Sequence, residues 1–326
     1  MPIVAGMDRS TDATPGEPPE ASLHRPVLLT PLIQNLQPRE GQVAIDGTLG
    51  GGGVTAALLD RVGATGRVLA VDKDPTAIAR ARLRFAGTAG ERLILAQGDF
   101  AELDHIAAGH GIGAADSLCL DLGTSSIQLD DPARGFSFRQ DGPLDMRMDE
   151  RIPRTAADLL MSLSAEQIAG ALDELADEPD HRAIARAVVQ VRERQPIRST
   201  SQLTRLIFDA KGISPKEWKQ RSKARQNELH PAARTFQALR ILVNDELGSL
   251  RQLLRIAPSC LRPGGRIGII SFHSGEDRLV ERVFNEGHIS GMYAAICDEP
   301  IRPGPKERFD NPRSASARLR WARRGV

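Results

Sequence analysis

Four short apolar runs, each followed closely by an aspartate, place the strongest constraint on how this chain can fold. The runs alternate with stretches of helical periodicity, a pattern typical of a parallel sheet covered by helices. In an open sheet of this kind, ligands bind at the carboxyl ends of the strands. The sequence therefore predicts an α/β fold with an acidic ligand-binding edge, formed by the runs 43–45 before Asp46, 68–71 before Asp72, 93–95 before Asp99 and 118–120 before Asp121.

A long interval separates the fourth run from a fifth predicted strand at 266–272, which follows a Pro-Gly-Gly turn. The interval is too long for one crossover helix, and it contains helix signals such as the capping box of Ser164 and Gln167. We therefore expect an inserted helical domain. The predicted boundaries are 132–229 for the insert, 23–131 together with 230–326 for the sheet domain, and 1–22 for a disordered tail rich in Pro, Gly and Thr.

An apolar stripe follows Pro231, which stands at a first-turn position. Its spacing predicts one long helix that packs on the sheet. The stripe could instead pack against a second copy of the chain, so a homodimer is the alternative arrangement. The stripe consists of Phe236, Leu239, Val243, Leu247 and Leu250.

Composition and charge exclude several classes of protein. With 40% hydrophobic residues, 26% charged residues and a net charge of +1, the 326-residue chain has enough apolar side chains for two globular domains and is not disordered throughout. The small net charge argues against a protein that coats nucleic acid by bulk electrostatics, and 4% aromatic residues argue against a broad base-stacking platform. Any RNA contact must therefore come from a local basic surface.

The three cysteines and seven histidines are scattered, without the spacing of a disulfide framework or a zinc site. We therefore predict no metal and a reducing, cytoplasmic location. The sequence has no apolar run long enough to span a bilayer, so no membrane partner is expected.

A glycine-rich stretch, 46–53, follows the first run and precedes a helical segment. Consecutive glycines allow the backbone to approach a ligand closely, and the free N–H groups of a helix N-terminus lie behind them. Such a stretch can be a plain turn, but Asp72 stands where an acidic residue binds ribose hydroxyls in nucleotide-binding folds. The arrangement fits NAD or S-adenosylmethionine, although the glycine spacing disfavours an NAD-dependent oxidoreductase. Phe100 is either a wall for adenine or a core aromatic residue.

Several further blocks resemble the bacterial 16S ribosomal RNA cytosine-N4 methyltransferase family, also called the MraW family. Several blocks in one order, spread over most of the chain, are more specific than the glycine stretch alone. The resemblance implies a Rossmann-type methyltransferase sheet, S-adenosylmethionine as cofactor and N4 of a cytosine in 16S ribosomal RNA as methyl acceptor. The blocks are HRPVLL at 24–29, DGTLGGGG at 46–53, DLGTSSIQLD at 121–130, RGFSF at 134–138, LDMRMD at 144–149, HPAARTFQALRI at 230–241, SFHSGEDR at 271–278 and NPRSASARLR at 311–320.

The chain departs from the usual pattern of that family at several positions, of which Gly53 matters most because histidine is usual there. Any contact made by the histidine side chain is lost, but backbone contacts can remain. We therefore keep one alternative, a ribosome-assembly factor that binds S-adenosylmethionine and RNA without productive turnover. The other departures are Ala233 for threonine, Gly275 for leucine and Ala315 for arginine.

The resemblance also implies which residues contact the cofactor. Asp121 is supported independently, because it is a carboxylate at the ligand edge of the sheet. The expected contacts are the backbones of Gly51, Gly52 and Gly53, Asp72 on the ribose, Phe100 near the adenine, and Asp121 with Gln128 around the adenosyl and methionine parts.

The chemistry of the methyl acceptor points to catalytic residues. The lone pair of a cytosine amino nitrogen is delocalised into the ring, so this nitrogen must pyramidalise and shed a proton as it attacks a methyl group. We expect Asp121 or the carbonyl of Leu122 to accept a hydrogen bond from the amino group, with Asp145 as a second acceptor. Asp145 has an equally good alternative role as an ion-pair partner of Arg147 or Arg134.

Basic residues are concentrated in the predicted insert and near the end of the sequence. Phosphate contacts need several cations together, so these clusters predict the surface that binds ribosomal RNA. They are Arg182, Arg186, Arg192, Arg194, Lys211, Lys216, Lys219, Arg221, Lys223 and Arg225 in the insert, and Arg313, Arg318, Arg320, Arg323 and Arg324 beyond it.

Overall fold

The computed structural model describes residues 26–87, 89–224 and 228–326, without the side chains of residues 223 and 224. The predicted tail at 1–22 lies outside the described residues, as do His24, Arg25 and Arg225. The described part contains one sheet with helices on both faces and a second group of helices with its own apolar core.

The sheet has seven strands. They are β1 (Val43–Asp46), β2 (Arg67–Asp72), β3 (Leu93–Gln97), β4 (Ala115–Asp121), β5 (Leu261–Ser271), β6 (Tyr293–Ile296) and β7 (Arg318–Arg324). Their order is β3-β2-β1-β4-β5-β7-β6, with β1 to β5 parallel and β7 antiparallel to both of its neighbours. The predicted Rossmann-type α/β fold is confirmed, and Asp46, Asp72 and Asp121 are the last residues of β1, β2 and β4.

Helices cover both faces of the sheet. The described helices are α1 (Leu29–Leu36), α2 (Gly53–Val62), α3 (Pro75–Arg84), α4 (Leu103–Gly109), α5 (Ser126–Asp130), α6 (Ala156–Ser162), α7 (Ala165–Ala176), α8 (His181–Arg192), α9 (Thr200–Ala210), α10 (Pro215–Ala224), α11 (Ala233–Asn244), α12 (Glu246–Cys260), α13 (Ser274–Ile289) and α14 (Pro305–Asp310). One face packs against α1, α2 and α3, and the other against α4, α12 and α13. None of the helices described here has both the length and the apolar character needed to cross a bilayer.

Burial on both faces explains why the strands read as continuous apolar runs. In β2, Val68 and Ala70 face the α1–α3 layer, whereas Leu69 and Val71 face the opposite layer. All four are fully buried. The polar residue that ends each run is therefore the first one to reach the ligand edge of the sheet.

The strands β6 and β7 were not predicted, because the sequence of β7, RLRWARR, looks like a solvated basic segment. In the structure Arg320 is only 5% exposed, with Nε 2.7 Å from Asp277 Oδ1 and Nη2 2.9 Å from Glu281 Oε1. Arg318 Nη1 also lies 3.3 Å from Asp277 Oδ2. The expectation that Arg320 faces RNA is therefore wrong, because Arg320 is buried against carboxylates of α13, whereas Arg318 is half-buried beside one of them.

Helices α6 to α9 bury a second apolar core together with α11. Helices α6, α7 and α9 each begin at a capping box, formed at their N-caps by Thr155, Ser164 and Ser199. The domain division at 132–229 stays a prediction. The apolar side chains of α11, which follows that range, belong to the second core rather than to the sheet.

The single long helix predicted after Pro231 is wrong, because the chain forms α11 and α12 with a break at Asp245. This residue has a left-handed backbone with φ 47°. Before the break, Phe236 and Leu239 pack in the second core, and after it Leu250 packs on the sheet. One straight helix could not reach both cores. The apolar stripe is covered within the chain, so the sequence argument for a homodimer no longer applies.

Candidate active site

A loop of glycines connects β1 to α2 at the carboxyl edge of the sheet. Gly50 and Gly52 have φ values of 48° and 75°, a region that residues with a side chain rarely adopt. A Cβ atom on Gly52 would also lie 3.0 Å from Phe85 Cε2. The N–H of Gly50 donates to Asp72 Oδ2 at 2.9 Å. The loop is therefore held against the end of β2.

A cavity opens at this edge of the sheet, and most of the predicted site residues line it. They are Gly51, Gly53, Asp72, Phe100, Asp121 and Gln128. Gly52 and Asp145 are not among the described residues that line it. Other lining residues come from separate parts of the chain and include Thr48, Lys73, Leu122, Ser125, Glu246, Phe272, Glu276 and Arg313.

Asp72 is half-buried, and the backbone holds its carboxylate in place. Oδ2 accepts from Gly50 N–H, and Oδ1 accepts from Asp74 N–H at 2.9 Å. Burial raises the pKa of Asp72 to about 6 despite these two donors, and the nearby charges of Asp74 and Asp46 add to the increase. Each carboxylate oxygen keeps capacity for another hydrogen bond. Asp72 can therefore accept from a hydroxyl group in the cavity.

Asp121 ends β4 with a carboxylate oxygen that has no partner. Its backbone N–H donates to Thr48 Oγ1 at 2.6 Å, which fixes the residue, but Oδ1 is buried and makes no hydrogen bond to any residue in 26–87, 89–224 or 228–326. Burial raises the pKa of Asp121 to about 8, and the charges of Asp46 and Glu276 contribute. A buried acceptor without a donor is costly for the fold. The site is therefore prepared for a ligand that brings a donor or a positive charge.

Gln128 lines the cavity, but both ends of its side-chain amide already have partners. Oε1 accepts from Ser125 N–H at 3.0 Å, and Nε2 donates to Asp74 Oδ2 at 2.8 Å. The same Asp74 oxygen accepts from Arg134 Nη1 at 3.0 Å. Gln128 thus fixes the loop after β4, and sequence analysis missed Asp74, although an aspartate before Pro75 is a recognisable N-cap signal.

Asp145 lies outside the cavity and forms the ion pair that was its alternative role. Oδ1 accepts from Arg147 Nε and Oδ2 from Arg147 Nη2, both at 2.8 Å. Burial alone would raise the pKa of Asp145, but its hydrogen bonds to Arg147 lower it below the ordinary value. Both carboxylate oxygens are engaged, so we do not retain Asp145 as a hydrogen-bond acceptor for the methyl acceptor.

Phe100 forms a side wall of the cavity and packs against the sheet core. Lys73 Nζ lies 5.8 Å from the centre of its ring and 2.9 Å from Asp99 Oδ2. The ring is thus held between the core and a neutralised cation. This position suits a flat apolar group such as a purine.

Glu276 was not singled out by sequence analysis, yet it lines the cavity from the first turn of α13. Oε2 accepts from Phe272 N–H at 2.9 Å, and Oε1 lies 3.2 Å from His273 Nε2. Burial opposes ionisation, but the contacts with His273 and Phe272 and the charge of Arg240 lower the pKa of Glu276 overall. Glu276 therefore keeps its charge, in contrast to Asp121, whose pKa is raised.

Two further missed residues bound the cavity. Glu246 follows the helix break and is paired with Arg240 at 2.7 Å. Arg313 contacts Ser126 Oγ and lies 3.2 Å from Asp130 Oδ1. Only Arg313 carried a signal in the sequence, as a member of the second basic cluster.

Some cations of the predicted RNA surface are exposed in the structure, and others are engaged by neighbouring groups of the protein. Lys211 is half-buried, with Nζ 2.7 Å from Oε1 of the buried Glu178, and Arg192 donates to the carbonyls of Leu160 and Leu163 at 2.6 Å. These two residues stabilise the helical group. Among the cations predicted for this surface in the insert, those that the structure shows exposed are Arg182, Arg186, Arg194, Lys216, Lys219 and Arg221.

The donors and acceptors in the cavity fit S-adenosylmethionine. Asp72 offers acceptors for ribose hydroxyls, Phe100 offers an apolar face for adenine, and the unpartnered Asp121 suits the cationic end. A Cβ atom on Gly51 would have nothing within 4 Å, so the backbone there is open to a ligand. Each part of the predicted cofactor therefore has a complementary group.

Comparison with known proteins gives one consistent family. The sequence profile of the MraW methylase family matches residues 21–325. A protein from Granulibacter bethesdensis named ribosomal RNA small subunit methyltransferase H is 43% identical over 314 residues, covering 91% of this chain and 90% of the relative. A protein of the same name from Thermomicrobium roseum is 42% identical, covering 94% of this chain and 95% of the relative. Another, from Methylorubrum populi, is also 42% identical and covers 98% of this chain and 92% of the relative.

Proposed function

The chain belongs to the MraW methylase family, and on this premise we propose that it transfers the methyl group of S-adenosylmethionine to N4 of a cytosine in 16S ribosomal RNA. The relatives are named for methylation of small-subunit ribosomal RNA. The structural observation that carries the proposal is the unpartnered carboxylate of Asp121 in a cavity lined by the glycine loop.

Asp72, Phe100 and the backbone of the glycine loop would hold the cofactor. When bound, S-adenosylmethionine supplies an electrophilic methyl group on a positively charged sulfur. The glycine loop and Asp72 are fixed to each other before binding by the hydrogen bond between Gly50 and Asp72. Little reorganisation is then needed to bind and orient the ligand.

Asp121 accepts a hydrogen bond from the amino group of the target cytosine through Oδ1. As the new N–C bond forms, the amino nitrogen loses a proton, and Asp121 is placed to receive it. A pKa raised to about 8 makes this carboxylate a better proton acceptor than an ordinary aspartate with a pKa of 3.8. The hydrogen bond from Asp121 N–H to Thr48 keeps the residue in position.

Mass-spectrometric nucleoside mapping of small-subunit RNA tests the proposal, with cells that have or lack this protein and with purified enzyme and S-adenosylmethionine added back. One N4-methylated cytosine should disappear and return. Asp121→Asn should restore no methyl group, and Asp145→Asn is the matched control, with turnover retained. An unchanged methylation profile would refute the proposal.

The comparisons do not support the alternative of an assembly factor without turnover. Gly53, the departure behind that alternative, is the first residue of α2 and lines the cavity. Its backbone can therefore contact a ligand without a side chain. We place the enzyme in the cytoplasm, where ribosomal subunits are found.

A further inference from the structure

A second cleft lies between the helical group and the segment that follows α14. It is distinct from the cofactor cavity, because the two share no lining residue. Its lining combines aromatic rings, a cation, a carboxylate and apolar residues, among them Leu229 and Ala233. Six of its residues are Phe138, Arg139, Trp218, Glu228, His230 and Pro312.

The aromatic rings of the cleft form an ordered group. Phe138 and His230 are stacked, with ring centres 4.3 Å apart and planes at 11°. Trp218 meets His230 edge to face, with centres 5.6 Å apart and planes at 81°. The chain has only 4% aromatic residues, so this concentration in one cleft is specific. It provides flat surfaces suited to stacking a base.

The polar groups of the cleft suit a nucleotide rather than an apolar peptide. Burial lowers the pKa of His230, and the charges of Arg139 and Lys211 act in the same direction, so the ring is neutral. Arg139 is exposed and can contact a phosphate. Glu228 Oε1 pairs with Arg221 at 2.8 Å, whereas Oε2 is buried and has no hydrogen-bond partner in the described part of the chain. An amino or imino group of a base would satisfy it.

The cleft adjoins the reaction cavity. Pro312 lines the cleft, and the next residue, Arg313, lines the cavity. The linings of the two spaces therefore meet at consecutive residues of the chain. A strand of RNA with one base in the cavity can place a neighbouring base in the cleft, because consecutive nucleotides are only several ångströms apart.

From this arrangement, and resting on the proposed function, we propose that the cleft binds the base of a nucleotide that flanks the target cytosine. The base stacks on the Trp218 and Phe138–His230 group, Glu228 accepts from its edge, and Arg139 contacts its phosphate. Bases inside folded RNA are read by enzymes only when they leave their stack. The cleft would hold a neighbouring base in this unstacked state and so fix the position of the target.

Binding of RNA oligonucleotides that carry one abasic position tests the proposal. The oligonucleotides span the cytosine identified by nucleoside mapping, and the abasic position is moved through the flanking nucleotides. With the wild-type chain, one abasic position should weaken binding about tenfold or more, the usual range for loss of one stacked base. In Trp218→Leu the same abasic position should have no further effect.

Phe309→Leu is the matched control, because Phe309 is an aromatic residue that is 85% exposed outside the cleft. It should show the full penalty of the abasic position. Equal penalties in wild type and Trp218→Leu at every position would overturn the proposal. An increase in KM for assembled subunits, without any change for RNA alone, would assign the cleft to a protein partner and would also overturn it.

Fluorescence provides a second measurement if Trp218→Leu does not fold. The chain has two tryptophans, so Trp321→Phe leaves Trp218 as the reporter. Intact RNA should quench its emission, and RNA with the critical abasic position should not. Failure of the wild type to methylate any RNA would refute the proposed function, whereas normal methylation with no quenching would refute the cleft alone.

Discussion

Replacing Asp121 with Asn should stabilise the protein at pH 8 and not at pH 4, while it slows methyl transfer about 100-fold or more. The pKa of Asp121 in the folded chain is about 8, above its ordinary value of 3.8, so the folded state binds a proton that the unfolded chain has already released. Stability contributed by this group therefore falls as the pH rises from about 4 to 8. Asn has nearly the same shape and cannot ionise.

The structure sets the size of the effect. Each pKa unit corresponds to about 1.4 kcal/mol, so ionised Asp121 destabilises the fold by about 6 kcal/mol at most. The cavity is open to solvent, and water there reduces the cost, so we expect a gain of about 2 kcal/mol for the Asn variant at pH 8. For a chain of this size the gain corresponds to a rise in Tm of about 3 °C.

Thermal unfolding of wild type and variant between pH 4 and pH 8.5, without cofactor, measures this effect. The two should unfold at nearly the same temperature at pH 4, close to the pKa of Asp121 in the unfolded chain, and separate as the pH rises. Methyl transfer by the variant should fall about 100-fold or more, the usual contribution of a proton acceptor. A Tm difference that is the same at every pH, or a variant less stable at pH 8, would refute the account of Asp121.

Three further substitutions test other parts of the structure. Glu276→Gln removes a charge that raises the pKa of Asp121, so the rise of activity with pH should move to lower pH; an unchanged pH profile would contradict the coupling. Arg320→Met leaves Asp277 without its 2.7 Å partner and should lower unfolding free energy by about 3 kcal/mol, measured by urea denaturation, with KM for RNA unchanged. Gly52→Ala strains a backbone with φ 75° and should lower unfolding free energy by about 1 kcal/mol or more, whereas equal stability would show that the loop adapts.

The sheet was predictable from the sequence where apolar runs end in an aspartate. Burial on both faces makes these runs continuous, and the change from apolar to acidic marks the ligand edge, so Asp72 and Asp121 could be placed correctly. Strand β7 could not be recognised, because two of its arginines, Arg318 and Arg320, pair with carboxylates of α13, which is distant in the sequence. No local pattern contains that information.

The remaining differences have the same origin in contacts between distant residues. The stripe after Pro231 is periodic through Asp245, so periodicity alone could not show the left-handed residue that divides α11 from α12. Asp145 looked available because its sequence position is near Asp121, but Arg147 engages both of its oxygens. Glu276 was overlooked because it is far from the glycine loop in the sequence, and only the folded structure brings the two together.

The position of β7 between β5 and β6 affects how the protein can assemble during synthesis. Strand β6 leaves the ribosome before β7, yet it is joined to the rest of the sheet only through β7. Until residues 318–324 are available, β5 presents an unpaired edge, and the acidic residues of α13 lack their arginine partners. Unpaired edges of this kind attract other chains. The nascent protein therefore passes through an aggregation-prone stage that ends only when β7 inserts.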